Sequence, residues 1–148
     1  MVKYQLVIDE EKEESIVITV HKKTDLIAEI EELLNREKVN LLGYKDNQIF
    51  SLEIDEIYAF YTQDSKVYAL LKNDSYLVKE RLYQLEELVR NSFLKINQGC
   101  LVNFNKILKF ESNIGGSIKV VLKNNYFDYI SRRELKNVKR RMGLWKNM

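Results

Sequence analysis

A mainly β fold with some α-helix, of the α+β class, is what this chain of 148 residues predicts. Nine Tyr and six Phe join many Val and Ile, residue types that fit a pleated, half-buried surface. They fall in short stretches separated by turn-forming pairs such as Asn73-Asp74 and Asn124-Asn125. Hydrophobic residues make up 45% of the chain and charged residues 31%, which is enough apolar material for a core and argues against global disorder. Pro is absent and Gly numbers only 5, which argues against long low-complexity linkers.

Residues 4–8 and 16–20 read as two strands joined by the acidic turn from Asp9 to Glu14. A helix is expected over 25–38, because Leu26, Ile27, Ile30, Leu33 and Leu34 share one helical face and Thr24 or Asp25 can cap it. Residues 40–47, with Gly43, look like the end of this first module. Strands follow at 49–54, 57–60, 67–71 and 76–78, then a short helix near 81–89 with Leu82, Leu85 and Leu88 on one side. Further strands are expected at 93–96, 100–103, 107–110, 117–122 and 126–130, and a last helix at 132–142. The chain therefore divides into a strand–strand–helix module at 1–45, suited to a dimerisation or regulatory role, and a mainly antiparallel β domain at 46–148. The apolar face of the first helix either covers one end of the β-core or serves dimerisation.

Several chemistries are disfavoured. No apolar run approaches the roughly 20 residues that span a bilayer, and the first residues lack a signal-peptide core. One Cys, Cys100, cannot form an internal disulfide, so the cytoplasm is the expected location and a small core residue the expected role. One His, His21, sits beside Lys22 and Lys23 and reads as a surface residue. A triad or a zinc site needs several such groups converging, and no phosphate-binding glycine loop is present. No catalytic residue, metal, cofactor or small-molecule substrate is expected, and the chain is not read as an enzyme.

Charge is unevenly spread. Residues 1–45 carry 7 Lys/Arg against 10 Asp/Glu, residues 46–89 carry 4 against 9, and residues 90–148 carry 13 against 3. The basic last part is either an electrostatic footprint for nucleic acid or a partner for the acidic half. Ser131-Arg132-Arg133-Glu134 fits a capping box, with Ser131 accepting from the Glu134 N–H and Glu134 reaching back to the Ser131 N–H. This places Arg132 and Arg133 in the first turn, where the helix dipole disfavours cations by about 0.3–1 kcal/mol each. Two Arg beside unpaired N–H groups fit a bound anion such as a DNA phosphate. The other reading pairs one of them with a carboxylate such as Asp128. Lys136, Lys139, Arg140 and Arg141 continue the basic face, while Leu135, Val138 and Met142 are spaced to pack inward.

Residues from about 46 to 143 resemble a LytTR-type DNA-binding domain. The resemblance is carried, in order, by Asp55-Glu56-Ile57-Tyr58-Ala59-Phe60, Leu82-Tyr83-Gln84-Leu85-Glu86-Glu87-Leu88, Phe93-Leu94-Lys95-Ile96-Asn97-Gln98-Gly99-Cys100-Leu101-Val102-Asn103, Asn105-Lys106-Ile107 and Ser131-Arg132-Arg133-Glu134-Leu135-Lys136. It implies an elongated antiparallel β domain that reads double-stranded DNA through loops inserted into successive major grooves, in a bacterial transcription regulator. It implies paired direct-repeat operators, and three contact places: the loop after Phe60 reaching Lys66, the pair Asn97 and Gln98, and Arg133. Position 97 is often a hydroxyl residue or His in the family and position 99 often Ser, whereas this chain has Asn97 and Gly99. Asn and Gln retain the bidentate chemistry that recognises adenine, and Gly99 lets backbone come close to a phosphate. Lys95, Lys106 and Arg132 are the expected phosphate contacts.

Residues 1–45 are too short for the receiver domain that many such proteins carry, so a stand-alone regulator is expected. Its expected partners are a second copy in a homodimer and an upstream membrane or sensor protein. A module that sequesters a protein partner through the acidic half, without reading DNA, is the competing expectation.

Overall fold

The computed structural model describes residues 3–34 and 40–143. The chain divides into two compact units, Met1–Glu37 and Lys38–Met148. Among the described residues no helix is long and apolar enough to cross a membrane.

In the first unit, Asp25–Leu34 forms helix α1, with Thr24 Oγ1 accepting from the Ile27 N–H at 3.4 Å. The remainder of the helix expected to residue 38 lies outside the described residues. The two strands expected at 4–8 and 16–20 are not formed as a ladder. Their turn is present: the Lys12 N–H donates to the Asp9 carbonyl at 3.3 Å and the Glu11 N–H to Asp9 Oδ1 at 3.1 Å. β-propensity makes these segments competent to pair, but a lone two-stranded hairpin is marginal in water.

The second unit carries ten strands: β1 Asn40–Lys45, β2 Gln48–Glu53, β3 Ala59–Gln63, β4 Lys66–Leu70, β5 Ser75–Val78, β6 Phe93–Asn97, β7 Cys100–Asn103, β8 Ile107–Ser112, β9 Ile118–Leu122 and β10 Phe127–Tyr129. Helix α2 spans Leu82–Leu88 and helix α3 spans Arg132–Met142. The first seven strands form one sheet in the order β2-β1-β5-β4-β3-β7-β6, and the last three form a second in the order β10-β9-β8. Strand β1 pairs with both β2 and β5, so the boundary expected between residues 45 and 46 moves to before β1. Gly43 disguises that strand. A Cβ there would stand 2.6 Å from Leu52 Cδ1 and 2.8 Å from Tyr76 Cβ, so only glycine fits between the two neighbouring strands.

Side chains alternate across the large sheet as the pleat requires. Phe60, Leu101 and Phe93 point to a cluster with Ile57, Leu85 and Val89, which α2 covers. Ala59, Val102, Leu94 and Ile96 point to the opposite cluster, shared with Val120 and Leu122 of β9 and Val138 of α3. The α3 helix and the small sheet thus pack on the β6–β7 region. Cys100 is buried there, and burial, then the Asp128 charge, push its thiol well above the ordinary range.

Candidate nucleic-acid interface

One end of the second unit collects four chain reversals, and a set of hydrogen bonds ties them together. The β3–β4 turn has Asp64 and Ser65 at φ 51° and 64°, the left-handed pair that matches strand twist in a tight hairpin. Beside it lies the β6–β7 turn, because the Thr62 N–H donates to the Gly99 carbonyl at 2.9 Å. The same turn is fastened to the small sheet by Asn97 Nδ2, which donates to the Tyr129 carbonyl at 2.9 Å. The start of α3 joins it through the Ser131 N–H, which donates to the Ile96 carbonyl at 2.8 Å, and the Ile130 N–H binds the Ile118 carbonyl at 2.9 Å. Just beyond Ile118 is the β8–β9 turn.

The helix start forms half of the expected box. Ser131 Oγ accepts from the Glu134 N–H at 3.3 Å. The Ser131 N–H, which Glu134 was expected to satisfy, goes instead to Ile96. Capping and tertiary anchoring therefore meet in one residue, and both fix the direction in which Arg132 and Arg133 leave the surface. Both Arg are exposed, and among the described residues neither has an ion-pair partner. Asp128, the carboxylate that could have neutralised one of them, accepts from the Tyr129 N–H at 2.7 Å and faces Cys100 and Tyr126.

The other expected residues divide into two groups. Lys66 opens β4 next to the Asp64–Ser65 turn and is exposed, and Gln98 is exposed at the tip of the β6–β7 turn. Lys66, Lys95 and Gln98 line one open cleft of about 630 Å³, which Lys79 and Arg81 also border. Lys95 is half-buried, with Nζ 3.7 Å from Glu86. Lys106 is not brought to this end. It lies past β7, in the turn Phe104–Lys106, with Nζ 5.0 Å above the Tyr58 ring.

Asn97 is placed differently from a free base reader. Its Nδ2 is given to Tyr129 and its Oδ1 accepts from the Gly99 N–H at 2.8 Å, so the side chain shapes the turn that carries Gln98. Gly99 likewise answers to a protein neighbour: a Cβ there would stand 2.6 Å from Thr62 Oγ1. Arg141 departs from the basic outer face of α3. Its guanidinium donates to the Phe93 carbonyl at 3.0 Å and the Arg90 carbonyl at 2.7 Å, and stacks 4.8 Å above the Phe104 ring. Burial, then the Arg140 charge, lower its pKa below the ordinary value. Arg141→Ala is expected to lower stability by about 1–2 kcal/mol through these lost bonds, measured as a shift in urea midpoint.

Two features of this end carried no signal in the sequence. Thr62, an ordinary strand residue by type, is the joint between two turns. The β8–β9 turn looked like a connection alone, yet Ile114 at its tip is fully exposed while the Asn113 N–H to Ser117 carbonyl bond of 2.9 Å holds the loop closed.

Residues 47–143 match the family described as the LytTr DNA-binding domain. Over 147 residues the chain is 31% identical to an uncharacterized HTH-type transcriptional regulator of Staphylococcus aureus strain bovine RF122 / ET3-1, covering 97% of this chain and 100% of that protein. A similarly described protein of Staphylococcus aureus strain MSSA476 is 30% identical, with the same coverage of both chains. In structure the chain resembles the LytTr DNA-binding domain of a methyl-accepting/DNA response regulator from Bacillus cereus, with a TM-score of 0.68, 16% identity, and coverage of 72% of this chain and 99% of that one. The family match spans β2 to β10, the turns and the α3 helix described above, and the chain belongs to the LytTR family of DNA-binding transcriptional regulators.

Proposed function

We propose that this chain is a cytoplasmic bacterial transcription regulator that binds double-stranded DNA sequence-specifically, through loops inserted into the major groove. The observation that carries the reading is the convergence of Lys66, Gln98 and the unpaired Arg132–Arg133 pair on turns joined by backbone hydrogen bonds. A reading face needs donors and acceptors held in a fixed mutual geometry, and this joint supplies it without using those side chains. Arg133 grips guanine, Gln98 recognises adenine, and Lys66 completes the base contacts. Arg132 and Lys95 hold phosphates, while Asn97 acts on the reading by setting the pose of Gln98. Lys106, at the far end of β7, takes no part. The operator is a paired direct repeat occupied by two copies, whose homodimer contact lies in the first unit and imposes no two-fold relation on the DNA-reading units, and the activating signal comes from a membrane or sensor protein.

Selection of bound sequences from random duplex DNA tests the reading. A defined repeated motif is expected, and equal recovery of all sequences overturns it. Affinity for that motif should fall steeply with salt, and Arg132→Ala should reduce the slope of log K against log salt by about 1. Lys106→Ala should leave the slope unchanged. Both slopes can be read by fluorescence anisotropy.

The apolar residues exposed in the first unit favour a protein contact as well. If that contact were the whole function, a partner would be retained after nuclease treatment and no duplex would shift in a gel.

A further inference from the structure

The first unit leaves most of its apolar side chains in solvent. Tyr4, Leu6, Val7 and Ile8 are exposed, and so are Ile16, Val17, Ile18 and Val20, with Val17 at 86%. On α1, Leu26, Leu33 and Leu34 are exposed too. Within residues 16–20 the run Ile-Val-Ile-Thr-Val is five consecutive β-branched residues with no charge, Pro or Gly to protect an edge. It is a strand in composition and carries no ladder in the single chain. A unit of about 37 residues is also below the size at which a single core usually sustains itself without oligomerisation.

The charges flanking this run identify what pairs with it. Glu13 and Glu14 stand directly before it, with Ser15 between, and His21, Lys22 and Lys23 directly after. A parallel pairing of two copies in register would set Glu14 against Glu14 and Lys22 against Lys22, which is unfavourable. An antiparallel pairing centred on Ile18 sets Ile18 against itself, Val17 against Thr19, Ile16 against Val20, and Glu14 against Lys22 of the second copy. Lys23 already has a partner within its own chain, with Nζ 2.8 Å from Glu31 of α1, so Glu14 and Lys22 form the discriminating pair. The strand is thus complementary to its own reverse, which is the condition for an isologous two-fold interface.

We propose that residues 16–20 form the homodimer interface by antiparallel strand pairing across a two-fold axis at Ile18. Each copy then contributes segments 4–8 and 16–20, which the pairing orders into strands, together with α1, to a shared four-stranded layer that buries apolar residues one copy leaves exposed. This deepens the homodimer part of the proposed function and does not depend on DNA.

The test uses the full chain without DNA, with mass measured by sedimentation equilibrium. The wild type is expected to be a dimer in the micromolar range. Ile18→Lys should raise the dimer dissociation constant at least about ten-fold by placing two ammonium groups on the axis. Glu14→Lys and Lys22→Glu should each weaken the dimer, and the double variant should recover it. Ile18→Cys should form a covalent dimer under mild oxidation far faster than Thr19→Cys, because only residue 18 faces its own copy; Cys100 is buried and does not compete. A monomeric wild type overturns both this interface and the homodimer reading. A dimer that persists in Ile18→Lys, ignores the charge swap, or cross-links equally at 18 and 19 overturns this interface alone. An open series of oligomers overturns the two-fold axis. If Ile18→Lys fails to fold, the charge swap and the cross-link still decide. Gel shifts on the same variants report DNA binding separately.

Discussion

Arg133→Ala is expected to reduce affinity for the selected operator by about 10- to 100-fold while affecting unrelated duplex much less, because one bidentate Arg–guanine contact discriminates by about 1–3 kcal/mol. The structure separates this loss from any effect on folding. Arg133 is exposed and has no ion-pair partner among the described residues. It stands in the first turn of α3, where removing a cation relieves an unfavourable dipole interaction of about 0.3–1 kcal/mol. The variant should therefore unfold at the same urea concentration as the wild type or a slightly higher one. Arg132→Ala is the companion measurement, expected to weaken operator and unrelated duplex alike, as loss of a phosphate contact does. Anisotropy titrations with both duplexes at one salt concentration decide the matter. Unchanged discrimination in Arg133→Ala removes that side chain from the reading face.

The second large effect lies in the core. Asn103 is the one buried polar residue among the described positions, 2% exposed at the end of β7. Its Nδ2 donates to the Ile57 carbonyl at 2.9 Å and its Oδ1 accepts from the Asn105 N–H at 3.0 Å. These bonds join the approach to β3 with the exit of β7, where backbone leaves regular pairing in both strands. Asn103→Ala leaves the Ile57 carbonyl unsatisfied in a place water does not reach. The expected cost is about 2–4 kcal/mol, the sum of a lost bond on each side and the desolvated carbonyl. Urea unfolding should show a lower midpoint at unchanged slope. Operator preference should persist under conditions where the variant remains folded, since Asn103 stands at the opposite end of β7 from the Gln98 turn. A loss below about 0.5 kcal/mol would mean that the bonds to Asn103 are replaced by others.

The strands from 48 onward and the α3 helix were legible in the sequence because local rules and tertiary packing agree there. β-branched and aromatic stretches alternate with turn residues, and Ser131 is a strong cap in front of an amphipathic helix. Disagreement appears where one residue answers to a distant neighbour. Gly43 reads as a chain break until Leu52 and Tyr76 are seen against it. Asn97 reads as an exposed reader at a turn, yet both ends of its amide are engaged, one by a carbonyl 32 positions away. Arg141 falls on the polar side by residue type, but it is three residues after the buried Val138, so its long stem reaches inward to the Phe93 and Arg90 carbonyls. The segments 4–8 and 16–20 show the converse case. Strand propensity was legible, but propensity alone does not make a ladder, since a lone two-stranded hairpin is marginal in water.

The joint among the four turns rests mainly on main-chain groups: Thr62 to Gly99, Ser131 to Ile96 and Ile130 to Ile118 are all backbone bonds. Side chains at the tips can therefore be exchanged without dismantling the platform that holds them. Gln98 and Arg133 can each be replaced at little cost to folding, and if they read bases as proposed, a new operator preference becomes accessible one substitution at a time. Copies of such a gene could drift to different promoters while their scaffolds stay superimposable, so divergence in targets need leave no trace in stability.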